Sequence, residues 1–121
     1  MRNFENHISY ANTDVQPVIR ELRKRILFLD LGTVREIVTP AQRFAYQKGA
    51  GPQFLELKIQ KEKGILRFRR TIIADPKSAL RQIKPDNEWP SWMQNELDVS
   101  TSSEIEYALP FLRAAYEASP G

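Results

Sequence analysis

The sequence contains no cysteine and only one histidine, His7. Without cysteine the chain can form no disulfide bonds, thiolate nucleophiles or cysteine-ligated metal sites, which is compatible with a reducing cytoplasm. His7 has no neighbour of the kind found in a catalytic triad, and a histidine-based metal site would need carboxylates as its other ligands. These scarcities exclude the commonest thiol, triad and zinc chemistries.

Long apolar runs and phosphate-binding glycine motifs are missing as well. No stretch approaches the roughly 20 apolar residues of a membrane-spanning helix, and residues 1–7 lack the apolar core of a secretion signal. The chain has no P-loop, and Gly49-Ala50-Gly51 lacks the third glycine and the helix start of a dinucleotide motif. We therefore expect a cytoplasmic protein with no membrane partner, no cofactor and no bound metal.

The charges that are present are sorted along the chain. Residues 15–84 hold 16 basic and 6 acidic residues, whereas residues 85–121 hold 7 acidic residues and one base, Arg113. The net charge of +3 therefore conceals an excess of positive charge in residues 15–84 and an excess of negative charge in residues 85–121. Such a distribution favours a surface that meets an anionic partner or another copy of the same chain.

The length of 121 residues predicts one domain, and the order of periodic patterns predicts its class. Residues 1–13 are interpreted as a polar lead-in and residues 14–118 as the domain. Apolar residues at three- and four-residue steps predict a helix over residues 15–29, with Asp14 as its N-cap. A short helix is expected at 77–83, and a final helix begins after Ser102 or Ser103 and contains Pro110.

Between these helices the apolar residues alternate with polar ones, which is typical of strands with one buried face. The alternating runs are 43–47, 55–60 and 66–69, residues 34–39 form a β-branched run that also indicates a strand, and Leu97 and Val99 indicate a last short strand. The predicted fold class is therefore α+β, with an antiparallel meander sheet of about four to five strands packed by an N-terminal and a C-terminal helix.

A basic hairpin is the first candidate for a binding site. If Lys61 pairs with Gly64 across a two-residue turn, Lys58 faces Arg67 and Glu56 faces Arg69 on the outward side. Two opposed cations destabilise a sheet, and an anion between them would relieve the repulsion. The predicted anion- or nucleic-acid-binding residues are Lys58, Lys61, Lys63, Arg67 and Arg69. The alternative is an ordinary solvated sheet face.

Two further groups of residues have a functional and a structural interpretation. Trp89 and Trp92 flank Pro90-Ser91 in an otherwise polar loop and could contact a ligand, although tryptophan also pins loops to a core. Phe44, Tyr46, Phe54 and Phe68 lie near bases and could stack on nucleobases, but alternating aromatics on strands are more typical of a core.

Catalytic patterns are sparse. An acid–base enzyme that uses Tyr46 or Glu56 remains an alternative, but neither residue lies in a recognisable catalytic motif. Asp86, Glu88, Glu96 and Asp98 could chelate a hard cation, yet their spacing follows no EF-hand pattern and is typical of a solvated acidic rim.

Several segments together resemble a family of prokaryotic domains of unknown function labelled "predicted transport protein". The resemblance covers roughly residues 15–118, and it rests on segments 18–23, 38–48, 54–57, 60–68 and 104–108. The family tends to carry a glycine-rich segment with tryptophan and histidine, whereas Asn87-Glu88-Trp89-Pro90-Ser91-Trp92 has neither glycine nor histidine. The resemblance implies an α+β module, and it implies no activity, cofactor or catalytic residue.

The sequence thus favours a non-enzymatic binding module with a basic sheet face for an anionic partner such as nucleic acid. One alternative is a homodimer in which the basic half meets acidic residues of another copy, around Glu96, Asp98, Glu104 and Glu106. A second is a small-molecule site under the loop that holds Trp89 and Trp92.

Overall fold

The computed structural model describes residues 3–83 and 90–120 of the chain. It confirms the predicted α+β class, with helices packed on an antiparallel sheet. The elements in chain order are α1 (Phe4–Ile8), α2 (Gln16–Leu27), β1 (Val34–Thr39), β2 (Arg43–Lys48), β3 (Gln53–Ile59), β4 (Gly64–Phe68), β5 (Arg81–Gln82), β6 (Asn95–Val99) and α3 (Ser102–Ala118).

Within the described residues the sheet has six strands in the order β1-β2-β3-β4-β6-β5. The first four strands form the predicted meander, and every pairing is antiparallel. The strand β6 lies beside β4, and the two-residue strand β5 pairs with its other edge. The strand count is therefore slightly higher than the predicted four to five.

The helices cover one face of this sheet and form a single core with it. Alternate residues of the strands point to the helices because successive side chains of a strand lie on opposite faces. The buried residues of this core include Phe44, Tyr46, Leu55, Leu57, Leu66, Leu97 and Val99 from the strands and Ile19, Leu22, Ile26, Ile105, Ala108 and Leu112 from the helices. The other face of the sheet carries no helix of the described chain.

The segment interpreted as a polar lead-in packs against this core from residue 4 to residue 11. Phe4, Ile8 and Ala11 are buried, and the rings of Phe4 and Phe44 lie 5.1 Å apart. The Nε2 atom of His7 lies 2.7 Å from the carbonyl oxygen of Thr39. A five-residue helix is too short to produce a readable apolar period, so the sequence pattern separated it from the domain.

The β3–β4 hairpin is present, but its register differs from the predicted one. The backbone N–H of Gln60 donates to the carbonyl of Lys63, so the turn residues are Lys61 and Glu62 rather than Glu62 and Lys63. Moving a turn by one residue shifts the cross-strand pairing by two. As a result Glu56 pairs with Arg67, and Lys58 pairs with Ile65, instead of the predicted Lys58–Arg67 and Glu56–Arg69 pairs.

Gly64 lies in β4 because of packing rather than turn geometry. A Cβ atom there would lie 2.8 Å from Cδ1 of Ile19 and 3.1 Å from Cδ1 of Leu57. The missing side chain therefore lets α2 approach the sheet closely. The sequence interpretation used this glycine as a turn signal, which produced the wrong register.

Residues 77–83 do not form the predicted short helix. The carboxylate of Asp75 accepts hydrogen bonds from the backbone N–H groups of Ala79 and Leu80, which holds the segment as a turn. Arg81 and Gln82 then pair with β6. An aspartate side chain that binds nearby backbone donors competes with helix formation, which explains the difference.

The two long helices begin close to the predicted positions but use other caps. Helix α2 has Val15 as its N-cap with no side-chain hydrogen bond, so Asp14 lies one residue too early. Helix α3 has Thr101 as its N-cap, and the side chains of Thr101 and Glu104 form a reciprocal capping box. Pro110 lies inside α3.

Candidate nucleic-acid interface

The sheet face opposite the helices, called the outer face here, carries most of the residues that the sequence suggested for binding. Strand alternation places the following side chains there: Arg35, Ile37, Thr39, Arg43, Ala45, Glu56, Lys58, Ile65, Arg67, Arg81, Glu96 and Asp98. Lys63 reaches the same face, since its Nζ atom bonds Asp98. These residues comprise six cations and three carboxylates.

A row of ion pairs crosses the outer face from β3 to β5. Arg67 contacts Glu56 at 2.8 Å and Glu96 at 3.1 Å. Arg81 contacts Glu96 at 3.0 Å and Asp98 at 2.7 Å. Asp98 also accepts a bond of 2.8 Å from Lys63. These six residues, called the ion-pair row, neutralise one another in pairs across neighbouring strands.

The ion-pair row is partly withdrawn from solvent at its centre. The side chains of Arg67 and Glu56 are 12% and 10% exposed. Burial acts to raise the pKa of Asp98, but hydrogen bonds from Arg81 and Lys63 outweigh it and hold that pKa below its usual value. Bonds to Asp98 and Glu96 likewise raise the pKa of Arg81. Asp98 and Arg81 therefore keep their charges at neutral pH.

The ion-pair row also accounts for the sorted charges of the sequence. The β3–β4 hairpin, which is basic when its turn is included, lies beside the acidic strand β6, so residues from the basic and the acidic part of the sequence neutralise each other within one chain. The helices do the same, because Arg25 of α2 contacts Glu106 of α3 at 2.9 Å. Glu104 accepts bonds from the backbone of Ser100 and Thr101. All four acidic residues assigned to a second copy are thus engaged internally.

One pair of cations on the outer face has no carboxylate at hydrogen-bond distance among the described residues. Arg43 and Lys58 are direct cross-strand partners on β2 and β3. Lys58 donates from Nζ to the carbonyl of Ala41 at 3.0 Å, and the nearest carboxylate contact of Arg43 is 3.9 Å long, to Glu56. The opposed cations that the sequence predicted for Lys58 and Arg67 therefore occur between Lys58 and Arg43 instead.

Two further cations have no carboxylate at hydrogen-bond distance in the described residues. Arg35 is exposed on β1, and Lys61 is exposed at the β3–β4 turn, with Nζ 5.3 Å from the centre of the Tyr10 ring. We call Arg35, Arg43, Lys58 and Lys61 the open cations. An incoming anion would find no carboxylate hydrogen-bonded to any of these four side chains within the described chain.

The five predicted binding residues therefore do not form one basic surface. Lys58 and Lys61 are open cations, whereas Lys63 and Arg67 belong to the ion-pair row. Arg69 follows the end of β4, and its Nε atom is buried without a hydrogen-bond partner in the described residues. Arg35 and Arg43 were missed, because only the strand pairing shows that they share a face with Lys58.

The four aromatic residues considered for base stacking are fully buried, which confirms their interpretation as core. Tyr46 donates from its hydroxyl to Glu36 at 2.9 Å, and burial strongly raises its pKa. In this conformation its phenol is inaccessible to a substrate. Glu56, the other acid–base alternative, is held by Arg67 in the ion-pair row.

The tryptophan loop is only partly described. Trp89 lies outside the described residues, and Trp92 is half-buried next to the buried Met93. A small pocket of about 100 Å³ lies elsewhere, and its lining residues are Lys77, Ala79, Leu97, Asp98, Glu104 and Tyr107. It is well below the roughly 300–1,000 Å³ of typical small-molecule sites.

Comparisons with known proteins found no relative of this chain. No family model matches the chain, and neither a curated protein nor a solved structure matches it. The resemblance to the "predicted transport protein" domains therefore stays a hypothesis. In the part of the chain that the structure describes, none of the helices combines the length and apolarity that crossing a bilayer requires.

Proposed function

We propose that this chain is a non-enzymatic binding module that contacts the phosphates of a nucleic acid through the open cations, which are Arg35, Arg43 and Lys58 on the outer face and Lys61 at the adjoining β3–β4 turn. The observation that carries the proposal is the direct opposition of Arg43 and Lys58 on a helix-free face. Like charges placed opposite each other destabilise a sheet. A phosphate between the two side chains would turn this repulsion into two charge-assisted hydrogen bonds.

The surrounding contacts support this role because they fix the two cations in place. The carbonyl of Ala41 holds the Lys58 ammonium, and the carbonyl of Pro40 accepts a long bond of 3.4 Å from Nε of Arg43. Neither contact consumes the positive charge. Side chains that are already ordered lose less conformational entropy when a ligand binds.

The alternatives from the sequence have less support. Self-association through opposite charges would need free acidic residues, but Glu96, Asp98, Glu104 and Glu106 all have partners in their own chain. The small-molecule site under the tryptophans includes Trp89, which lies outside the described residues, so no described contact supports it.

The number of open cations sets the expected salt dependence. Four phosphate contacts predict a slope of about −3.6 for log affinity against log salt, since each contact contributes about −0.9 for duplex DNA. Raising salt from about 50 to 200 mM should therefore weaken binding by about two orders of magnitude. Fluorescence anisotropy of a labelled duplex of about 20 base pairs measures this slope.

Charge reversal of the central pair tests the assignment. We expect the double variant Arg43→Glu/Lys58→Glu to lose about two orders of magnitude in duplex affinity at 50 mM salt and to reduce the slope by about two, because two phosphate contacts disappear. Both side chains are solvent-accessible and neither forms a short ion pair, so the fold should persist. Circular dichroism and thermal melting verify that it does.

The matched control reverses two exposed cations on the helical side, Lys24 of α2 and Arg113 of α3. The variant Lys24→Glu/Arg113→Glu changes the net charge by the same amount but should keep the wild-type slope. Equal losses in the two double variants would mean that overall charge drives binding. Wild-type protein that fails to bind duplex at low salt would refute the proposed function.

A further inference from the structure

We propose that the nucleic acid bound by the outer face is double-stranded and is recognised through its phosphate backbone without base stacking. This inference rests on the proposed function and specifies which class of nucleic acid is bound. Proteins that bind single strands combine positive charge with aromatic side chains on which bases stack, and each stacked base contributes about 1–3 kcal/mol. The outer face offers positive charge but no aromatic side chain for stacking among its described residues.

The side chains of the outer face, as far as the structure describes it, are charged, aliphatic or hydroxylic. The four aromatics of strands β2, β3 and β4 are all fully buried, namely Phe44, Tyr46, Phe54 and Phe68. Ile37, Ala45 and Ile65 occupy the positions between the charged residues. An unstacked base would therefore meet aliphatic groups and ion pairs, which give it no stacking surface.

Tyr10 is the exposed aromatic residue next to the open cations, with 46% of its surface accessible. It lies beside the β3–β4 turn, where the backbone N–H of Asn12 donates to the carbonyl of Lys61. The Lys61 ammonium covers its ring at 5.3 Å from the centroid. A base could stack on Tyr10 only by displacing this contact, so we expect no contribution from it.

Charge density also favours a duplex over a single strand. A duplex carries one phosphate charge per roughly 1.7 Å of its axis, twice the density along one strand, and its phosphates stand in a rigid array. Fixed cations such as Lys58, held by the carbonyl of Ala41, match a rigid array better than a flexible chain that must be ordered on binding.

The test compares labelled ligands of equal length by anisotropy at about 50 mM salt. The ligands are two duplexes of unrelated sequence and the separated strands of each, and the proteins are wild type and Tyr10→Leu. We expect both duplexes to bind equally, each at least about tenfold more tightly than its strands, because stacking energy is missing for the strands. Tyr10→Leu should leave the affinities for both duplexes and for all of their strands unchanged.

Several outcomes would overturn the inference and leave the proposed function intact. These are single strands that bind as tightly as duplexes, a loss of strand binding in Tyr10→Leu, and a tenfold preference between the two duplex sequences. Absence of binding to every ligand would instead refute the proposed function itself.

Discussion

Replacing Arg67 with alanine should lower the free energy of unfolding by about 3 kcal/mol, at the lower end of the range for breaking a buried ion pair. Its side chain is 12% exposed and contacts Glu56 and Glu96 at once. Without it the Glu56 carboxylate, 10% exposed, keeps only the 3.9 Å contact with Arg43. Glu96 retains Arg81, which is why the expected loss is not larger. Chemical denaturation measures the change.

Two further variants show whether the loss comes from an uncompensated carboxylate. Arg113→Ala removes an exposed arginine of α3 and should change stability by no more than about 0.5 kcal/mol. In the double variant Glu56→Gln/Arg67→Met the buried negative charge is gone, so much of the stability should return. A loss below about 1 kcal/mol for Arg67→Ala would show that the ion-pair row is an ordinary set of surface contacts.

Phe4→Ala should lower the free energy of unfolding by about 3 kcal/mol or more, the usual range for a buried phenylalanine. Phe4 is buried against Phe44, and the guanidinium carbon of Arg23 lies 4.4 Å from the centre of its ring. The substitution therefore leaves a cavity and removes a cation–π contact. The polar lead-in inferred from sequence would predict almost no effect.

The control for this prediction is the same substitution at an exposed position. Phe28, at the end of α2, is 56% exposed, so Phe28→Ala should cost less than about 1 kcal/mol. Denaturation curves of the two variants and the wild type are compared at one temperature. Equal, small losses in both variants would contradict the packing of α1 onto the core.

The sequence predicted the strands well because their side chains alternate over several residues. Leu55, Leu57 and Ile59 in β3 and Leu66 and Phe68 in β4 all face the core as the pattern required. The register of the β3–β4 hairpin could not be predicted from the sequence, because it depends on which residues occupy a two-residue turn. Gly64 is suitable for a turn by local preference, and only the position of Ile19 on α2 explains why it lies in a strand.

The candidate site was harder to predict, because it depends on which strands become neighbours. Strand β6 is more than 25 residues from β4, yet it provides the carboxylates that neutralise Arg67 and Lys63. The separation of basic and acidic residues along the sequence therefore suggested contacts between molecules, although the fold brings these residues together within one chain. Only the cations that pairing leaves unmatched, Arg43 and Lys58 above all, indicate a binding surface.

The central claim is that binding depends on the open cations and not on the cations of the ion-pair row. The most direct test measures the salt slope of duplex binding for Lys58→Gln and Arg81→Gln side by side. Each variant removes one positive charge from the outer face, but Arg81 is held by Glu96 and Asp98. We predict a slope shallower by about 0.9 for Lys58→Gln and no change for Arg81→Gln. Equal reductions would contradict the account.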